Sequence, residues 1–249
     1  MRLSIVVITW NQLATTLHCL AGLEELMARP EVQTIVVDNG STDGTVATLR
    51  ERFPGLTLIE NDANRGVAYA RNQGISLAGG RFVLLLDNDT EATPQAIEQL
   101  VAYAESNPQV GLTGCRLIDA DGNVQDSYKP YPGLMIKVRN VLGCRHKPYE
   151  PPTNADGSLS PTYVIGACQL ISREAIERVG LLDDHIFYGP EDADYCLRLA
   201  TAGFEVRYLP TVSIMHLYRR ATRRRIFSPL ARKHIAALLY FYRKHHRWL

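Results

Sequence analysis

Four times within the first 106 residues, a short apolar run gives way to a stretch with helical periodicity. The runs are "LSIVVIT" (3–9), "QTIVVD" (33–38), "LTLIEND" (56–62) and "RFVLLLD" (81–87). Continuous, β-branched and only a few residues long, they read as buried strands. Helical patterns follow each one. The first begins near Asn11, a candidate cap, and runs through Leu17, Leu20, Leu23 and Leu26. The second is "STDGTVATLRERF" with Ser41 or Thr42 near the cap. The third is "GVAYARNQGISLA" (66–78), and the fourth is "TPQAIEQLVAYAES" (93–106) with Pro94 in its first turn. Such alternation predicts an α/β fold, a Rossmann-like, mainly parallel sheet flanked by helices. Ligands of these sheets bind beyond the carboxyl ends of the strands. Here those ends carry Thr9 and Asn11, Asp38 and Asn39, Asn61 and Asp62, and Asp87 and Asp89. An oxygen-rich binding edge follows.

The second half is less regular. "VGLTGCRLIDADGNVQDS" (110–127) predicts two strands about a turn at Asp121–Gly122. Residues 128–161, rich in Pro, Tyr and Gly, read as a loop or a mobile flap. A strand and helix follow in "TYVIGACQLISREAIERVG" (162–180), a helix in "PEDADYCLRLATAGF" (190–204), and a last strand in "EVRYLPTVSIMH" ending at His216.

The apolar runs stop far short of the roughly 20 residues that span a bilayer, and "MRLSIVVITWNQ" lacks the h-region and cleavage site of a signal peptide. Cys19, Cys115, Cys144, Cys168 and Cys196 are dispersed with no CxxC pair, which fits reduced, buried thiols in a cytosolic protein. The net charge of +1 hides an asymmetry. No Asp or Glu follows Glu205, whereas eleven Lys and Arg lie between Arg207 and Arg247; the earlier residues hold 16 bases against 26 acids. Within the tail, Ile235, Leu238, Leu239 and Tyr242 fall at i, i+3, i+4 and i+7, with Arg232, Lys233, Arg243 and Lys244 largely elsewhere. This is a basic amphipathic helix with Pro229 near its start. Its stripe either packs on the domain or a second subunit, or docks on an anionic surface.

Several residues carry candidate chemistry, each with a plainer reading beside it. Asp87 and Asp89 flank Asn88 at i and i+2; extended chain points both carboxylates one way, toward a shared Mg²⁺ or Mn²⁺, or the same residues cap a turn. Glu191, Asp192 and Asp194 crowd a helix start, where carboxylates favour the dipole or where one serves as general base. Arg71 reaches a phosphate or base edge, or makes a surface ion pair. Gly66 admits a ligand against the backbone, or turns the chain. His216 is a ligand or a structural histidine.

Taken in order, "SIVVITWN", "VVDNGSTDGT", "NRGVAYARNQG", "VLLLDNDT" and "FYGPEDADYCLRLATAGF" resemble the inverting glycosyltransferases of family 2, with the GT-A fold. The likeness covers residues 3–216, and "GACQLISREAIERVGLLDD" brings it closest to the rhamnosyltransferase-type subgroup that builds bacterial cell-surface polysaccharides. That resemblance implies roles residue by residue. Thr9, Asn11, Asp38 and Arg71 line the nucleotide pocket, together with Trp10, Asn64, Gly66 and Asn88 of the same blocks, and Asp38 reads the pyrimidine. Asp87 and Asp89 match the DxD motif, Asp89 as principal ligand of Mn²⁺ or Mg²⁺ and Asp87 facing ribose or metal; His216 completes the site. Asp192 is the catalytic base, while Glu191 and Asp194 orient the acceptor. Trp10 stands where the family often has Tyr, and "GLLDD" replaces the commoner "GGFDE".

The implied organisation is a GT-A domain over 1–216, with a nucleotide-sugar half (1–106) and an acceptor and catalytic half (107–216), and a basic helical extension over 217–249. The implied partners are a nucleotide-diphosphate sugar, dTDP-rhamnose or a UDP-sugar, and a glycan or polyprenyl-diphosphate-linked acceptor. A homodimer and an anionic membrane surface are further candidate partners, and nucleic acid is not expected. The expected location is cytoplasmic, peripheral on the inner face of the cytoplasmic membrane. Two rival readings remain: a nucleotidyltransferase making the sugar nucleotide, which usually carries a Gly-rich basic N-terminal loop absent from "TWNQLATTLH", and a non-catalytic assembly protein, against which Asp89, Asp192 and His216 argue.

Overall fold

The computed structural model describes residues 1–136, 149–217 and 229–246. The apolar runs become central strands because both of their faces are covered. In β1 (Leu3–Thr9), Ile5 and Val7 enter one hydrophobic cluster and Val6 the other; in β4 (Phe82–Asp87), Leu84 and Leu86 part from Val83 and Leu85 in the same way. The first cluster takes in α1 (Leu13–Met27) and α4 (Pro94–Ser106). The second takes in α3 (Val67–Leu77), α5 (Arg173–Val179), α6 (Glu191–Thr201) and α7 (Pro229–Lys244).

The remaining strands are β2 (Val32–Asp38), β3 (Thr57–Glu60), β5 (Thr90–Glu91), β6 (Val110–Ile118), β7 (Tyr128–Lys129), β8 (Tyr163–Val164), β9 (Cys168–Ser172) and β10 (Glu205–His216). Helix α2 (Thr45–Arg52) follows β2. Eight strands form one sheet in the order β3-β2-β1-β4-β9-β6-β10-β5, and β7 and β8 pair separately. The sheet is mainly parallel, as the alternation predicts, but β9 runs antiparallel to both β4 and β6, and β5 antiparallel to β10. Parallel register sets Thr9 beside Asp38 and Ile8 beside Asp87, so the tips of β1, β2 and β4 meet at one edge. Near Pro210 the pairing of β10 with β6 shifts register between Leu209 and Ser213. A bulge suits a residue that cannot donate to a ladder.

Local expectations fail where polar side chains find partners outside their own helix. Asn11 does not cap α1. It sits at φ 51°, and its Oδ1 accepts from the Thr42 amide at 2.7 Å, tying two loops together. Neither Ser41 nor Thr42 caps α2; the helix starts after Gly44, where Asp43 accepts from the Thr45 amide. After Gly122 the second strand shrinks to a single bridge between Ile118 and Val124. Of the span expected as a flap, 137–148 lie outside the described residues, while Leu159 exchanges two backbone hydrogen bonds with Tyr208. Cys19, Cys115, Cys168 and Cys196 are buried free thiols, and Cys144 lies outside the described residues.

The tail helix packs on its own domain. Phe241 and Tyr242 are buried, the Tyr242 hydroxyl donates to the Pro132 carbonyl at 2.6 Å, and Phe241 meets Tyr131 at 5.7 Å between centroids. The apolar stripe is divided: Ile235 and Leu239, on the same side as Tyr242, stay exposed. Among the described residues no helix is long and apolar enough to cross a membrane.

Candidate active site

The tips of β4 and β10 come together because β5 folds back onto β10, setting Thr90 opposite His216. Asp87, Asp89 and His216 thereby each offer a ligand atom, all within 4.8 Å of one another. His216 Nε2 lies 3.3 Å from Asp89 Oδ1, and its Nδ1 lies 2.8 Å from Gln125 Oε1. The Gln125 amide in turn donates to the His216 carbonyl at 2.8 Å. Gln125 therefore fixes the ring with Nδ1–H donating to it and Nε2 turned toward Asp89, the usual outer support of a metal-ligating histidine. Two carboxylates and an imidazole suit a hard or borderline divalent ion such as Mg²⁺ or Mn²⁺.

Arg71 does not face solvent. It is 2% exposed, and its Nη2 donates both to Asp87 Oδ1 at 2.6 Å and to the Gly166 carbonyl at 2.8 Å. Its Nη1 has no hydrogen-bond partner but lies 3.7 Å from Glu191 Oε1. The guanidinium is thus a buried link between the two acidic motifs, not a surface ion pair. Burial pushes the Asp87 carboxyl above its usual range, with Arg71 opposing. Burial, reinforced by Asp192, lifts Glu191 to about 8 against the pull of Arg71.

The three acids at the start of α6 separate by exposure. Glu191 and Asp194 are buried, and Asp192 is half-buried. Asp192 Oδ1 accepts from the Ala193 amide at 2.7 Å. Glu191 accepts from the Gly189 amide. Asp194 was expected on the acceptor side. It is instead fully enclosed, bonded to Arg198 at 2.8 Å, Lys244 at 2.7 Å and His245 at 2.8 Å. Its partners make it a structural anchor.

On the other flank, Asp38 is buried and its Oδ2 accepts from the amides of Gly40 and Ser41, while its Oδ1 has no hydrogen-bond partner. Trp10 is 51% exposed, available as a flat surface at the same edge. Thr9 ends β1, and Asn88 follows β4. Both are buried, and Asn88 Nδ2 donates to Thr9 Oγ1 and Thr16 Oγ1, an internal network that braces the ends of β1 and β4 against α1. Asn64 accepts from the Gly66 amide and the Asn39 side chain, shaping the turn before α3. Gly66, at φ 96°, passes close under the Phe187 backbone: a Cβ there would stand 2.6 Å from the Phe187 carbonyl oxygen. Two shallow surface depressions, one at Tyr69, Asn72 and Gln73 and one at Pro161 and Thr162, contain none of these residues.

A mainly parallel sheet whose strand tips gather Asp38, Asp87 and Asp89 beside the acid-bearing head of α6 matches the GT-A fold, and solved structures share it. The mannosyltransferase PcManGT from Pyrobaculum calidifontis, in complex with GDP-Man and Mn²⁺, superposes with a TM-score of 0.64 at 24% identity over 89% of this chain and 58% of its own. GalNAc-T7 with UDP, GalNAc and Mn²⁺ gives 0.68 at 18% identity over 97% of this chain and 50% of its own. The chain thus spans between half and three-fifths of these longer chains. Residues 4–180 match glycosyl transferase family 2; the chain belongs to that family and is an inverting glycosyltransferase. It is similar to the N-acetylglucosaminyl-diphospho-decaprenol L-rhamnosyltransferase of Mycobacterium tuberculosis, 29% identical over 99% of this chain and 86% of the relative. It is also similar to the dTDP-rhamnosyl transferase RfbF of Shigella flexneri, 27% identical over 85% and 67%.

Proposed function

We propose that this chain transfers L-rhamnose from dTDP-rhamnose to a polyprenyl-diphosphate-linked N-acetylglucosamine, with Asp192 as the base. The observation that carries the base assignment is exposure: of the three acids at the head of α6, Asp192 alone is not buried. The names of the two rhamnosyltransferase relatives support the donor and acceptor. Residues 1–106 serve the donor, 107–216 the acceptor and the chemistry, and 217–249 are a C-terminal extension whose described part is α7.

Asp38 Oδ1, buried and without a partner, is an acceptor that the N–H of a pyrimidine would satisfy. Trp10 supplies a face for the base to stack on. Asp89 and His216, with the Asp87 oxygen not taken by Arg71, would hold Mn²⁺ or Mg²⁺. A bound divalent ion would stabilise charge gathering on the leaving diphosphate. Asp192 takes the proton from the acceptor hydroxyl as its oxygen attacks the anomeric carbon from the face opposite the diphosphate. The bond from anomeric carbon to diphosphate oxygen breaks, and configuration inverts. One base suffices, and no protein nucleophile is required.

The exposed face of α7, with Ile235 and Leu239 beside Arg232 and Arg243, docks on an anionic membrane and brings the site to a lipid-linked acceptor. The test of the reaction is a panel of dTDP-, UDP- and GDP-sugars with Mn²⁺ or Mg²⁺, run on the wild type and on Asp192→Asn. Turnover with dTDP-rhamnose that Asp192→Asn abolishes while still binding donor is expected. Turnover indifferent to divalent ions would overturn the metal site, and an active Asp192→Asn the base.

A further inference from the structure

The segment Phe187–Gly189 immediately precedes Glu191 and Asp192, and it is held from both sides. On the donor side, the Phe187 carbonyl accepts from the Val67 amide at 3.0 Å, where Gly66 leaves no room for a side chain. On the other side stands α7. Lys233 Nζ lies 3.4 Å from the centroid of the Phe187 ring, a cation–π contact, and His234 Nδ1 lies 3.2 Å from the Tyr188 carbonyl. The His234 ring fills the space that a Cβ on Gly189 would need.

The far end of α7 grips either side of the same segment. Lys244 Nζ lies 2.6 Å from Asp183 and 2.7 Å from Asp194, and His245 Nε2 lies 2.8 Å from Asp194. Asp183 precedes the segment, and Asp194 sits on the first turn of α6, two residues beyond Asp192. Lys244 thus joins the two ends of the stretch that presents the base. Tyr240 adds a second bond to Asp183 at 2.9 Å.

We propose that α7 is a positioning clamp for the catalytic-base segment, with Lys244 as its principal positioning residue and Lys233 and His234 as its second grip. The proposal rests on the assignment of Asp192 as base. Lys244 touches neither donor nor acceptor in this scheme; it acts by fixing where the head of α6 stands relative to the strand tips. Misplacing a base by about an ångström is enough to slow a reaction strongly while leaving a separately built donor pocket intact.

The experiment uses the full chain with dTDP-rhamnose, Mn²⁺ and a decaprenyl-diphospho-N-acetylglucosamine acceptor. It compares wild type, Lys244→Met, Lys244→Arg and Asp192→Asn, and follows amide hydrogen exchange in each. Because Arg198 still pairs with Asp194 and His245 still hydrogen-bonds it, Lys244→Met is expected to fold. In that variant kcat should fall about tenfold or more while the donor KM stays within about twofold. Exchange should quicken across 183–194 and stay unchanged across 82–89, and Lys244→Arg should restore most of the lost kcat. A Lys244→Met enzyme with wild-type kcat overturns the clamp, as does quickened exchange spread evenly over the sheet. Full turnover in Asp192→Asn overturns the base assignment and the clamp's purpose with it, an outcome that the Lys244 variants alone cannot mimic.

Discussion

Arg71 shows what a single buried charge does at the centre of this fold. It is enclosed on every side, yet its two terminal nitrogens serve different motifs, Asp87 of the strand tip and Glu191 of the helix head. Removing one partner of such a buried pair strands the other in low dielectric. Arg71→Met should therefore cost about 3–5 kcal/mol of stability in urea unfolding, and Arg71→Lys should recover little, since one ammonium cannot replicate the planar fork. Gln125 acts at longer reach. It acts through the His216 ring that it holds, so Gln125→Leu should weaken Mn²⁺ binding by about 10–100-fold in calorimetry with dTDP present, leaving dTDP binding without metal unchanged. The sequence marks Asp87, Asp89, Asp192 and His216 as candidates only together, through the ordered blocks of the family resemblance, and the fold brings the first two and His216 within reach of one another. It hides Gln125, which belongs to no motif, and the burial of Arg71, because an arginine on a helix reads the same whether its face meets solvent or a strand tip. Asn88 misleads for the opposite reason: it sits inside a ligand motif, but its amide turns inward to Thr9 and Thr16.

Between elements, stability and catalysis share the same contacts. The turn into α3 needs a residue at φ 96° that passes under the Phe187 carbonyl. Gly66→Ala meets both backbone strain and a clash, and should cost about 1–3 kcal/mol in thermal or denaturant unfolding. The docking of α7 has a pH signature. Asp183 is partly buried, which alone would raise its pKa, but hydrogen bonds from Lys244, Tyr240 and His185 outweigh that and hold its carboxyl well below the usual range. A carboxyl depressed in the folded state contributes stability that is present above the unfolded value of about 3.9 and lost as pH falls below it. The midpoint of urea unfolding should thus drop on acidification below about pH 4, and Asp183→Asn should flatten that limb while lowering stability at neutral pH. Helix existence was readable from apolar spacing, and α6 falls within the stretch read as helical at 190–204. The caps of α1 and α2 were not, and for α1 the reason is that Asn11 spends its side chain on Thr42 in another loop, a pairing 31 residues away that local pattern does not carry.

Across the whole molecule, alternation fixed the layer and its edge, but not the order of its strands. β9 lies between two strands parallel to each other and runs against both. Buried on both faces, "CQLIS" reads as any central strand does, so direction was invisible. Charge is the other property that acts at this scale. An acidic body and an acid-free tail suggest either internal neutralisation or an outside partner, and α7 divides its cations between two faces. Its inner face spends Lys244 and His245 on Asp183 and Asp194, while its outer face keeps Arg232 and Arg243 exposed beside Ile235 and Leu239. Leu134 and Met135 are exposed just beyond Pro132, which Tyr242 ties to the same helix. Apolar side chains rimmed by cations suit a lipid interface, where each basic residue near an anionic surface adds about 1 kcal/mol. In flotation, the full chain should bind phosphatidylglycerol-rich vesicles and release them on raising salt, with little binding to phosphatidylcholine alone. Ile235→Ser with Leu239→Ser should weaken that binding by about tenfold or more, since each side chain brings about 1.5–3 kcal/mol if fully buried. Transfer to a soluble, short-chain acceptor should be unaffected, because neither residue touches the site. Equal binding to both vesicle types, or binding indifferent to the double substitution, would leave α7 with its clamping face alone.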